Sequence, residues 1–157
     1  MGVGPSAKET TLHHVRDPLL DVASSHEGID LLGVMLFGAS DSFAQKMLVA
    51  ERAAAWAQGM RADGALVFTE GSGNDHVDFA HACEELERRG LSVAGLTPIG
   101  RQGQFVVTNA SLDAVVDVHK SASGGETCVV GENTLTDLDC RKALAMLELK
   151  MRRRRPS

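Results

Sequence analysis

The chain has 157 residues, 43% hydrophobic and 24% charged, the size and composition of one globular domain that buries roughly 70% of the surface its unfolded chain exposes. Its apolar runs, such as Val34 to Phe37 and Ala53 to Ala57, fall far short of the ~20 residues a membrane-spanning helix needs, so no membrane partner is expected. The net charge is −5, and four of the 16 basic residues are Arg152 to Arg155; the acidic body lacks the clustered basic surface that tracks a phosphate backbone, and nucleic acid is not expected as a partner.

Residues 1 to 28 read as an N-terminal arm and lead-in, because the Gly, Pro, Ser and Thr of the first ten positions cannot bury enough apolar surface to order themselves. Gly2 and Ser6 fit a myristoylation pattern, but no polybasic stretch stands near them to act as a second anchor. The almost continuously apolar stretch from Ile29 to Phe37 predicts a strand covered on both faces. Ser40 and Asp41 then offer N-caps, and Phe43, Met47, Ala50, Ala54 and Ala57 recur on one helical face.

Ala65 to Thr69 predicts a second strand. Asp75 caps a helix with Phe79, Cys83 and Leu86 inward and Glu84, Glu85, Glu87, Arg88 and Arg89 toward water, and Gly90 stands where a helix-ending glycine is wanted. Ser92 to Thr97 predicts a third strand, and Phe105 to Thr108 and Ala114 to Val118 two more, with Val129 and Val130 as a short edge. Thr136 or Asp137 caps a last helix carrying Cys140, Leu144, Leu147 and Met151 on one face, and residues 152 to 157 form a basic tail. Strands alternating with helices over short connections predict a single α/β domain over 29 to 151: a three-layer, mostly parallel flavodoxin- or Rossmann-like sheet with helices on both faces.

In such a sheet, ligands bind beyond the carboxyl ends of the strands, which singles out Gly38 to Asp41, Glu70 to His76 and Pro98 to Gln104. Glu70-Gly71-Ser72-Gly73-Asn74 resembles the setting of a phosphate cradle, but His76 falls where a third glycine would stand, and Glu70 and Asp75 are negative. The plain alternative is a tight strand-to-helix turn that needs glycine for its backbone angles. A metal site needs three or four converging ligands. The adjacent His13 and His14, and His76 with His81, do not supply them, and His26 and His119 read as surface or hydrogen-bonding residues. Cys83 and Cys140 fall on inward stripes and read as small buried apolar residues, which leaves Cys128 as the thiol candidate for chemistry. Three cysteines without paired spacing, and no signal peptide before them, suggest reduced thiols and a cytoplasmic setting.

Several stretches together resemble the substrate-specific component B of glycine, sarcosine and betaine reductases and the related D-proline reductase proteins. They are Lys8-Glu9-Thr10-Thr11-Leu12-His13-His14, Glu51-Arg52 with Trp56-Ala57, Thr69 to Asn74 followed by Val77-Asp78-Phe79, and Val130-Gly131-Glu132-Asn133-Thr134 leading to Arg141-Lys142-Ala143-Leu144. The resemblance implies a chain like the smaller carboxyl-terminal product of a self-cleaving precursor, which begins with a pyruvoyl group made from a cysteine. That group is an electron sink for an amine substrate. Gly2 stands at the register of that cysteine and has no side chain to eliminate, so no pyruvoyl cofactor is expected here; Ser6 carries a hydroxyl but follows Pro5.

What the resemblance implies is the small subunit of a reductase-like heteromeric enzyme acting on an amino-acid-type or other small amine. His13, His14 and Cys128 are then the catalytic candidates, and Thr10, Thr11, Glu70, Gly71, Gly73, Asn74 and His76 the substrate-binding ones. The expected partner is a larger subunit resembling the amino-terminal product of the precursor, against which the arm of residues 2 to 14 would thread. The alternatives are a non-catalytic assembly or binding module that lost the pyruvoyl chemistry, and an unrelated flavodoxin-like small-molecule binder.

Overall fold

A computed structural model describes residues 18–38, 40–69, 73–98, 105–118 and 135–154. In chain order these form helix α1 (Pro18–Ser24), α2 (Phe43–Gly59), strand β1 (Gly64–Phe68), α3 (Asp75–Arg88), β2 (Ser92–Thr97), a 3-10 turn (Ala110–Leu112), β3 (Val115–Asp117) and α4 (Asp137–Arg154). The three strands lie in the order β1-β2-β3 and are all parallel, Gly64 facing Ser92 and Phe68 facing Leu96 on one side, Gly95 facing Val115 and Thr97 facing Asp117 on the other. Every residue of β2 is buried, as a central parallel strand covered on both faces requires.

Alternation along β2 divides the core into two layers. Val93 points into a cluster with Ala50, Ala54 and Ala57 of α2 and Phe79, Cys83 and Leu86 of α3. Leu96 points the other way, into Val22 of α1 and Cys140, Ala143 and Leu144 of α4. The fold is therefore the expected three-layer α/β arrangement. The lead-in also contributes a helix, since α1 buries Val22 and Ala23 at the face where α4 packs.

Helix ends follow the chemistry of their residues. Gly90, at φ 92°, takes the left-handed angle that closes α3. The Thr136 hydroxyl accepts the Asp139 backbone N–H, starting α4 as an N-cap does. Asp137 and Asp139 sit in the first turn of α4 and Arg152, Arg153 and Arg154 in its last, as the helix dipole favours. The helix runs through Arg154, whose guanidinium donates to the Leu91 carbonyl at 2.5 Å, so part of the stretch read as a tail is docked on the body.

Five expectations are corrected. Ile29 to Phe37 is no strand and joins none among the described residues, and Leu32, Val34 and Leu36 are 51%, 65% and 81% exposed. Its apolar pattern matches a covered strand, but a strand also needs a hydrogen-bonding neighbour and two covering layers. Phe105 to Thr108 is likewise no strand: Phe105 stacks on Phe79, with ring centroids 5.9 Å apart, while Val106 and Val107 face outward. One inward anchor holds this stretch in place of a ladder. Helix α2 begins at Phe43 after the N-cap Ser42, and the Ser40 hydroxyl accepts the N–H of Ser42 itself, two residues too early to cap the helix. Phe43 is 67% exposed; the stripe buried on α2 is Lys46 with Ala50, Ala54 and Ala57, and the three small alanines let α2 approach α3 closely. The N-cap of α3 is Asn74, with Asp75 its first helical residue.

Glu85 also departs from expectation, being only 5% exposed. Its carboxylate accepts two bonds from the Arg88 guanidinium, at 2.9 and 2.5 Å, so burial is compensated by a bidentate partner one turn on. The Arg88 hydrogen bond holds the Glu85 carboxyl below its usual 4.5 despite the opposing effect of burial. A carboxyl whose folded pKa is depressed stabilises the fold above its unfolded pKa and loses that contribution as pH falls through the folded value. Glu85→Gln should therefore melt at lower temperature than the parent at pH 7, and the gap should close as the pH is brought below that of the depressed carboxyl. A gap unchanged across the titration would show that shape alone is responsible.

Candidate functional site

The carboxyl end of β1 opens on a crevice of about 130 Å³. Thr69, just beyond β1, and Asp75 and Asp78, from the first turn of α3, supply its polar wall; Met35, Leu36 and Phe37 supply an apolar one. The site sits where an open parallel sheet places ligands. Its volume is well under the roughly 300–1,000 Å³ of pockets that enclose drug-sized ligands. By itself the crevice holds a very small molecule or one end of a larger site.

Asp78 is not a bare carboxylate. It accepts a very short hydrogen bond from the Lys46 ammonium of α2, and Lys46 is 3% exposed. This buried pair joins the first turns of α2 and α3 at the wall of the crevice and neutralises one of the two acids there. Asp75 remains the acid more open to a bound cation.

His76, buried at 3% exposure, lies behind that wall. Its Nε2 is 3.1 Å from the Thr97 hydroxyl at the end of β2, and its ring meets Phe105 at a centroid distance of 4.9 Å. These contacts fix the start of α3 against the end of β2. In this arrangement His76 positions the wall rather than entering the crevice. Gly73, at φ 62°, makes the left-handed turn into α3 that the plain reading of the loop expects. Asn74 is exposed. The other candidates, Thr10, Thr11, His13, His14, Glu70, Gly71 and Cys128, lie outside the described residues. Among the described residues no group of His, Cys, Asp and Glu is arranged to hold a metal ion, and no helix is long and apolar enough to cross a membrane.

The described thiols are buried, Cys83 at 1% and Cys140 at 0% exposure. Burial, assisted by the Glu87 carboxylate, pushes the Cys83 thiol up to about 12, so almost none is thiolate at neutral pH. Native protein at pH 8 should leave Cys83 unalkylated by iodoacetamide through an incubation that fully labels it in denaturant, as peptide mass mapping would show. Rapid native labelling would show that α3 opens locally.

Sequence reasoning passed over Lys46, Asp78, Thr69 and the wall of Met35 to Phe37. A signal for the first two was available, since each is a charge set among small inward residues: Lys46 one turn before Ala50, Asp78 one turn before Ala82. Two such charges of opposite sign on neighbouring helices point to a buried pair.

Topology and crevice together define an open α/β domain whose ligand end is formed by strand-to-helix loops. The chain belongs to the family of glycine/sarcosine/betaine reductase component B subunits, which matches residues 2–127. It is similar to the D-proline reductase proprotein PrdA of Acetoanaerobium sticklandii, at 38% identity over 146 residues covering 93% of this chain and 23% of that protein. It is also similar to the sarcosine reductase complex component B subunit alpha of Peptoclostridium acidaminophilum, at 28% identity over 128 residues covering 79% of this chain and 29% of that one. The chain thus spans less than a third of the length of either relative. No solved structure matches it.

Proposed function

We propose that this chain is the small subunit of a reductase-like heteromeric enzyme, acting on an amino-acid-type or other small amine at a site shared with a larger subunit. The observation that carries this reading is the extent of the likeness: 93% of the chain aligns with a D-proline reductase proprotein of which it covers 23%. A chain that corresponds to one portion of a longer reductase is expected to work with the remainder. The small, open crevice supports the same reading, since a partner surface could complete it. Within it, Asp75 would face the substrate ammonium, Thr69 would hydrogen-bond it, and Met35 and Phe37 would cover its carbon skeleton. Thr10, Thr11, His13, His14, Glu70, Gly71 and Cys128 are proposed to join from segments beyond the described residues.

The pyruvoyl group of the resembled family does not fit this chain. Gly2 at the cysteine register offers neither a nucleophile nor a leaving group, and the described cysteines are sealed in the core. These same facts favour a second reading, a non-catalytic assembly module that kept the α/β body.

Co-expression of the chain with the protein from its own genome that matches the rest of the D-proline reductase proprotein distinguishes them. The complex is then assayed for substrate-dependent consumption of a dithiol with D-proline, sarcosine, glycine and betaine. Turnover that falls at least tenfold in Asp75→Asn supports the shared site. Turnover unaffected when the small chain is omitted supports the assembly module.

A further inference from the structure

Residues 31 to 37, Leu-Leu-Gly-Val-Met-Leu-Phe, are apolar at both odd and even positions. A strand with one wet face alternates, so this pattern is that of a strand covered on both sides. The described residues do not cover it. Leu32, Val34 and Leu36 are 51%, 65% and 81% exposed on one parity, and Leu31 and Phe37 37% and 41% on the other. The segment carries no helix or strand of its own and is not a member of the three-strand sheet among the described residues. An exposed apolar run of this length, with the side-chain pattern of a strand covered on both faces, is suited to pairing with another polypeptide.

We propose that residues 31–37 are a docking strand for the larger subunit, which adds a backbone ladder along the segment and covers its outward side chains. This rests on the heteromeric reading above. Two observations select that occupant over a second copy. The segment lies inside the region that matches the family, and the two relatives are proteins of which this chain spans only 23% and 29%, so in those proteins the matched segment is accompanied by a large body of polypeptide outside the aligned stretch. The segment is also continuous with the crevice, because Met35, Leu36 and Phe37 form its apolar wall. A partner paired along 31–37 therefore closes the open side of the site, whereas a second copy would spend that wall on a contact between like chains.

The test uses the full chain, its Val34→Asp/Leu36→Asp variant and the larger protein identified above. Both replaced side chains are mostly exposed, so the variant should keep the parent circular dichroism and melting temperature. Titration by calorimetry is expected to show binding by the parent and a dissociation constant raised roughly a hundredfold or more by the variant, as for charges placed at an interface centre. Hydrogen exchange should show the amides of 32 to 37 protected in the complex and fast in the free chain. Equal binding by parent and variant with unchanged exchange would overturn the docking strand while leaving the heteromeric reading intact. Failure of the parent itself to bind would overturn that reading and the docking strand together. A parent homodimer that the variant dissociates, with larger-subunit binding unaltered, would assign the segment to self-association and overturn the proposal.

Discussion

Lys46→Met is expected to lower stability by about 3–5 kcal/mol, the typical cost of removing one member of a buried ion pair. Asp78 would be left at the wall of the crevice with no cation to offset its lost hydration, and Asp78→Leu would strand the more deeply buried ammonium. The pair Lys46→Met/Asp78→Leu removes both charges and should recover most of the loss, since apolar residues of similar volume often replace a buried pair at little cost. Denaturant midpoints of the four proteins, at constant slope, measure the coupling. Single losses below about 1 kcal/mol would mean that water reaches the pair and that it behaves as a surface bridge. Because Asp78 lines the crevice, the double replacement also leaves Asp75 as the crevice acid, and binding that survives it would assign recognition of the ammonium to Asp75.

Gly95→Ala should cost about 1–3 kcal/mol, the usual penalty of overpacking a well-filled core. Gly95 lies mid-way along β2, and a Cβ there would come within 2.4 Å of Phe79 Cζ. The ring cannot swing aside freely, because Phe79 is 2% exposed and stacked nearly parallel on Phe105. α3 would therefore have to move away from the sheet, and with it the first turn that carries Asp75, His76 and Asp78. The thermal midpoint should fall, and ligand affinity should weaken with it. The rescuing change Gly95→Ala/Phe79→Leu should restore part of the midpoint by freeing the ring volume. A Gly95→Ala protein as stable as the parent would show that helix and sheet can separate by a few tenths of an ångström without loss.

Much of the architecture was legible along the chain because period and punctuation are local. The 3.6-residue stripe of Cys140, Leu144, Leu147 and Met151 placed α4, and Gly90 marked the end of α3. Ser92 to Thr97 read as a strand between helical stretches over short connections, so a parallel three-layer α/β fold followed from the order of elements. The likeness to the component B family was equally visible, being carried by residue identities. Tertiary structure alone decided which apolar stretch became a strand. Ile29 to Phe37 and Ser92 to Thr97 both read as strands, but among the described residues only the second has a hydrogen-bonding neighbour on each side and a helical layer on each face. It alone decided the fate of the charges as well. Lys46, Asp78 and Glu85 look solvated in sequence, yet each is buried because an opposite charge, from another helix or one turn away, meets it there. Burial is a property of the assembled neighbourhood, and the crevice depends on it: residues 35–37, 67–69 and 75–79 meet only after the sheet has formed.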